Sequence, residues 1–248
     1  MNQHMKKLFK KIILIFLIIF YFSKVEQVKA VVPYYYLPSI KNLQKESISI
    51  GKSAYQLLYF GQYKESLNLA KLAVKINKAD EKLWLILAEV QIANNLYKEA
   101  LNSLDKAQKL NSKISEIYFA KSNVYLKISE LESAKTALEN GLQIEPNNHK
   151  AIFQLGNIYL MEKNYSEAIM FFNKSLEIKP DFWQAINNKG LAYFEKNNIN
   201  LSIKLFEKAI SIQDNAEPLL GLASCLRITN IELALELAKK ALTKDPNY

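Results

Sequence analysis

From residue 47 onward, apolar residues recur three and four positions apart in short blocks, and polar breaks separate the blocks at regular distances. In one stretch Ile152, Leu155, Ile158 and Tyr159 form the first block, Glu162, Lys163 and Asn164 the break, and Ala168, Ile169, Phe172, Leu176 and Ile178 the second. Such spacing lines side chains along one face of a helix. The pattern therefore predicts two amphipathic helices joined by a tight polar turn. It returns every 34 residues, and three columns of small residues mark the period. The first is Ala54, Ala88, Ser122, Gly156, Gly190 and Ser224; the second is Ser66, Ala100, Ala134, Ala168, Ser202 and Ala234; the third is Ala73, Ala107, Gly141, Ser175, Ala209 and Ala241. Only the last unit breaks the step, by two residues between Ser224 and Ala234, and the loss is placed at the turn near Ile228, Thr229 and Asn230. A small residue in an apolar face lets a neighbouring backbone come close. A hairpin of this kind cannot bury its apolar faces alone, so neighbours must stack. The expected fold is all-α, an α-solenoid of six helix-turn-helix units over 47–80, 81–114, 115–148, 149–182, 183–216 and 217–248.

The residues between the small columns carry a family resemblance. Ile50, Trp84, Tyr118, Ile152, Ile186 and Leu220 stand four before the first column, and Tyr125, Tyr159 and Tyr193 three after it. Leu104, Leu138, Phe172 and Phe206 stand four after the second column, and Pro146, Pro180 and Pro246 close three units. This arrangement resembles the tetratricopeptide repeat, and residues 149–182 match its pattern most fully. The resemblance implies units that form a right-handed superhelix with the first helix of each unit lining a concave groove. Departures occur at Ser53 and Lys78 in the first unit and at Lys121 and Lys189, which replace the usual Leu. Lysine stems can lie on apolar surface while their amines reach water.

Residues 1–30 read differently. Lys6, Lys7, Lys10 and Lys11 precede an apolar run over 12–22, and a polar stretch ends in Val28, Lys29 and Ala30. This is the layout of a signal peptide with cleavage after Ala30. The run falls short of the roughly twenty apolar residues that span a bilayer; a retained membrane anchor is the alternative. The expected location is outside the cytoplasm, in a periplasm or thylakoid lumen. Without residues 1–30 the chain has 27 basic and 23 acidic residues, a net charge of +4. That excess is dispersed, with a single arginine, Arg227, so a nucleic-acid partner is not expected. Residues 31–46 form a segment rich in Pro and aromatics, read as a cap on the first helices. Its Tyr34, Tyr35 and Tyr36 are the alternative, a docking strip for a partner or a membrane surface.

No catalytic constellation, metal site or cofactor is expected. The two histidines, His4 and His149, lie far apart, and the lone Cys225 reads as a small buried hydrophobe. The six glycines fall at packing columns, near helix starts or at a turn, and none builds a phosphate-cradling loop. Function is therefore placed in the groove that the resemblance implies. Its exposed positions lie one after and three before the first small column; in the last unit they are Cys225 and Gly221. The middle of the groove is Phe119, Asn123, Phe153, Gln154, Asn157, Asn187 and Asn188. An amide side chain offers donors and an acceptor, so it can pair with a peptide backbone in either sense. The groove resembles the asparagine-lined groove of some peptide-binding members of the family, which implies a protein or peptide partner. The Lys, Asn and Ile bias and residues 181–188 are also similar to exported cyanobacterial repeat proteins, which implies a role beside photosynthetic or envelope membranes. Self-association and an accessory role in an envelope or photosynthetic assembly enzyme are the alternative readings.

Overall fold

In the first five hairpins the polar break becomes a reversal of the chain because one residue in it adopts a left-handed backbone. Gly61, Asn95, Ser129, Lys163 and Asn197 have φ of 72°, 58°, 62°, 60° and 60°. The next amide then reaches back and closes the helix end. Leu96 donates to the Gln91 carbonyl, Glu130 to Tyr125, Asn164 to Tyr159 and Asn198 to Tyr193, each at 2.8 Å.

The structure is a computed structural model that describes residues 40–245. The signal segment, Tyr34, Tyr35, Tyr36 and Pro246 lie outside the described residues. Those described form twelve helices and no strand. They pair as α1 (Ile40–Tyr59) with α2 (Tyr63–Ile76), α3 (Glu81–Ala93) with α4 (Tyr97–Leu110), and α5 (Ser115–Lys127) with α6 (Leu131–Ile144). After these come α7 (His149–Met161) with α8 (Tyr165–Ile178), α9 (Trp183–Glu195) with α10 (Ile199–Ile212), and α11 (Ala216–Leu226) with α12 (Ile231–Lys244). From Gln44 onward the hairpins form one compact unit, an all-α solenoid in which each hairpin packs on the next.

The small columns are where the helices meet. Every member of the second and third columns is buried, and so is every member of the first except Ser224. Most serines in these columns are paired, although the buried Ser122 Oγ has no hydrogen-bond partner. Ser66 Oγ donates to the Ala54 carbonyl at 2.7 Å and Ser202 Oγ to the Gly190 carbonyl at 2.8 Å, tying second helix to first. Volume is matched across the hairpin. The large residues Leu104, Leu138, Phe172 and Phe206 are fully buried. Where the large residue is Phe, the first-column residue is Gly. A Cβ on Gly156 would lie 2.5 Å from the Phe172 ring, and one on Gly190 3.1 Å from the Phe206 ring. Where it is Leu, Ala88 or Ser122 stands opposite in the sequence register. At these densities an added methylene is felt.

The last hairpin departs from the sequence expectation. α11 starts at Ala216, 33 residues after the start of α9 at Trp183, so one of the two missing residues is lost before the helix and not at the turn. The loss rotates the helix by one position. Ala223 takes the buried column, and Ser224 is exposed. Cys225, predicted as a groove position by the same spacing, is instead buried, and its thiol donates to Ser202 Oγ at 3.4 Å. Burial pushes the Cys225 thiol pKa up, which fits the reading of a small core hydrophobe. The two unusual lysines are accommodated differently. Lys121 Nζ sits 2.6 Å from Asp105 Oδ1 and also bonds Gln108, while half-buried Lys189 is held below its usual pKa by burial and by Lys208.

Candidate functional site

First helices of successive hairpins touch directly: α3 meets α5, α7 meets α9, and α9 meets α11. Among the described contacts no two second helices do so. Elements on the inside of a curved stack approach more closely than those outside, so the first helices form the inner wall. Their half-exposed positions are the ones that a partner would meet.

On this wall the amides of α7 and α9 join. Asn187 Nδ2 donates to Asn188 Oδ1 at 3.0 Å, Asn188 Nδ2 to Asn157 Oδ1 at 2.8 Å, and Asn157 Nδ2 to Gln154 Oε1 at 3.2 Å. The chain of amides ends in an unpaired atom, because Asn187 Oδ1 is buried and has no hydrogen-bond partner. Reversing Asn187 alone would set two oxygens face to face. Reversing all four amides would leave a buried N–H in the same place. In either sense the row presents one polar atom whose desolvation is unmet, a standing cost of about 1–3 kcal/mol that a ligand group would relieve.

A cavity of about 470 Å³ lies between these amides and α11, lined by Asn187, Asn188, Gln184, Leu191, Leu220 and Gly221 among others. Phe153 also lines it and packs at 5.0 Å from Phe182 and 5.7 Å from Phe172. Behind it the Phe206 ring fills the space beside Gly190 and Gly221; a Cβ on Gly221 would come within 2.4 Å of that ring.

A second cavity, about 420 Å³, lies between α3 and α5 and is lined by Glu89, Ile92, Glu116, Phe119, Ala120 and Asn123. Burial first, and then the charge of Glu116, holds the Glu89 carboxyl above the usual carboxylate range.

The structure thus divides the predicted residues. Phe153, Gln154, Asn157, Asn187 and Asn188 come together on α7 and α9, five positions of one network and its apolar shelf. Phe119 and Asn123 sit apart at α5, beside the carboxylates. Phe119 is also a packing residue, since its ring covers Gly141 of its own hairpin. Of the other lining residues, Glu89, Leu191 and Leu220 stand at repeat positions that the sequence displays, whereas Glu116 was not singled out by it. Glu89 and Leu191 stand one after the first small column, where the groove rule points, and Leu220 stands four before it. His149 lies at the α7 start, edge-on to Phe182 at 5.0 Å, and burial lowers its pKa, so it belongs to the packing of the inter-hairpin turn.

Family models of the tetratricopeptide repeat match residues 149–182 and, with a second model of the same repeat, 115–148 and 184–215. No curated protein matches the chain. Solved structures of similar fold include MamA, at 24% identity over 70% of this chain and 93% of MamA, with a TM-score of 0.60. PilW, described as a widely conserved type IV pilus biogenesis factor, is 17% identical over 82% of this chain and 94% of its own, with a TM-score of 0.72. YrrB, described as a tetratricopeptide-repeat protein with an unusual peptide-binding site, is 21% identical over 82% of this chain and 98% of its own, with a TM-score of 0.56. At such identities the likeness is one of fold. Period, stacked hairpins and matched units together establish that the centre of the chain consists of tetratricopeptide repeats, an architecture that supports protein–protein interaction.

Proposed function

We propose that the protein is a non-enzymatic scaffold that acts outside the cytoplasm and holds a segment of a partner protein along its first-helix wall, with the α7–α9–α11 cavity as the principal contact. The observation that carries this reading is the row of four amides ending in the unpaired Asn187 Oδ1, beside the apolar side chains of Phe153, Leu191 and Leu220. A peptide backbone supplies alternating N–H and C=O groups that match an amide row, and its side chains suit an apolar shelf. The description of YrrB as a peptide-binding repeat protein is in keeping with this use of the wall. Location rests on the lysine-led apolar run of residues 6–22 and the Ala30 cleavage position. A place in assembling a membrane-associated complex rests on that run, on the resemblance to exported repeat proteins and on the description of PilW.

A photo-crosslinking amino acid at position 188, and another at the outward-facing position 204, test the site in the native cell. A partner captured from 188 and not from 204 is the expected result. Capture from 204 alone would place binding on the outer face. Mass spectrometry of the purified protein should find Val31 as the first residue; an intact Met1 on membrane-bound protein would replace export by anchoring.

A further inference from the structure

The two ends of the hairpin array are finished differently, and the far end carries an apolar stripe. In interior hairpins one face of the second helix is covered by the next hairpin. On α10 that face is Ile199, Ile203, Phe206 and Ile210, which pack with Leu226 and Leu237 among others. The equivalent positions on α12 are Ile231, Leu235, Ala238 and Leu242. They keep the same four-three-four spacing, yet Ile231, Leu235 and Leu242 are 63%, 55% and 50% exposed. At the other end the reverse holds. First helices pack back on the preceding hairpin through apolar pairs such as Ile117 and Val124 of α5 or Leu155 and Ile158 of α7. In α1 the equivalent positions are Ser49, Ser53 and Gln56.

A stripe of this kind on one helix is a partner surface. Head-to-tail stacking of two copies would press it onto polar Ser49, Ser53 and Gln56, so it does not suit an open chain of copies. Pairing of the stripe with itself does suit it. In an antiparallel crossing Ile231 opposes Leu242 and Leu235 opposes Ala238 of a second copy, large against large and large against small. Charge agrees with this sense. α12 is acidic in its first half, at Glu232 and Glu236, and basic in its second, at Lys239, Lys240 and Lys244. Lys240 and Lys244 are engaged by Asp214 of their own hairpin at 3.1 and 3.0 Å, whereas Glu232 and Lys239 flank the stripe. Antiparallel pairing brings Glu232 beside Lys239 of the other copy, and the two-fold axis repeats that pair. A parallel crossing sets acidic half on acidic half.

We propose that α12 is a homodimer interface, in which two copies pair antiparallel through Ile231, Leu235, Ala238 and Leu242 with reciprocal Glu232–Lys239 contacts. It leaves the first-helix wall of both copies free and does not depend on what binds there. One helix face buries less than the ~800 Å² per partner of a standard interface, so the dimer is weak, with a dissociation constant on the order of micromolar.

Sedimentation equilibrium of the full chain from about 1 to 200 μM, a range set by that constant, tests it. A concentration-dependent shift from monomer to dimer mass is expected. Leu235→Glu should abolish the shift without lowering the thermal midpoint, since the side chain is exposed. Glu232→Lys or Lys239→Glu alone should weaken the dimer at least about tenfold, and the double exchange should restore it. Monomer mass throughout the range would overturn the proposal. So would a dimer indifferent to Leu235→Glu, or single exchanges that weaken it without rescue by the double.

Discussion

The cavities at α3–α5 and at α7–α9–α11 occupy the same register of the same repeat, yet they meet a partner with different chemistry. One position after the first small column is Glu89 in α3, Asn123 in α5, Asn157 in α7 and Leu191 in α9. In the first cavity that position holds a carboxyl, half-buried beside Glu116 and held above its usual pKa. In the second, amides satisfy one another in a row and leave a single acceptor unpaired. The contrast teaches that a repeat fixes where a side chain stands and leaves open its cost in lost solvation. Charges at neighbouring positions repel and resist burial, while amides at neighbouring positions pair. A third difference lies behind the wall. The amide cavity is backed by Phe206 beside Gly190 and Gly221, whereas the acidic one lies near the smaller Leu104 and Ala88.

That backing gives the largest expected effect. Gly190→Leu should lower stability by roughly 1–3 kcal/mol or more, because the new side chain would overlap the Phe206 ring. Thermal melting checks it. Combining Gly190→Ala with Phe206→Leu recreates the small–large pairing of Ala88 with Leu104, and a double-mutant cycle should show favourable coupling of about 1 kcal/mol. Additive losses would mean that the two hairpin types do not differ in how they pack.

Next comes the polar contrast. Asn188→Ala cuts the amide row in the middle and should weaken partner capture by about tenfold, the worth of one hydrogen bond left unmade. Asn123→Ala, in the other cavity, should leave capture unchanged if the amide cavity is the principal contact. Pull-down at matched protein stability compares the two. Equal losses would make the wall one continuous site.

A smaller effect separates the cavities by pH. Burial and the charge of Glu116 hold the Glu89 carboxyl above its ordinary range, so between its unfolded and folded pKa values the folded state binds more protons than the unfolded state. The carboxyl therefore costs stability as pH rises through the folded pKa, and the cost is absent below the unfolded one. Glu89→Gln should be more stable than wild type at neutral pH and no more stable at about pH 4. Denaturant melts at both pH values decide this. The same pair of melts on Asn157→Gln, which adds no titrating group to the amide row, should show no such dependence on pH.

The smallest effect lies in the turns, which the two regions share. Lys163 adopts φ 60° in the turn after α7, a conformation that favours Gly or Asn. Lys163→Gly should stabilise by at most about 1 kcal/mol, and Asn95→Gly by less. Chemical denaturation resolves the difference.

Much of the fold was legible in the sequence. Seventeen of the eighteen small-column residues are buried where the period placed them, because a repeat imposes the same local packing on each unit. The exception, Ser224, shows the limit. A two-residue deletion could be counted from the columns, but its division between the α10–α11 connection and the α11 turn depends on where the helix starts. The groove rule found the amide positions, yet Phe119 turned out to pack on Gly141 as well as line a cavity. That double role depends on a missing Cβ 22 residues away in sequence, which no helical pattern of α5 displays.

Sequence alone determined the period and the all-α stacking, since each depends on contacts that recur within a unit and between similar neighbours. Only the tertiary structure decided which amides bond to which, that Glu89 and Glu116 share a cavity, and that Ile231, Leu235 and Leu242 of α12 are exposed. Those outcomes turn on distances between different units, where a few tenths of an ångström separate a hydrogen bond from none.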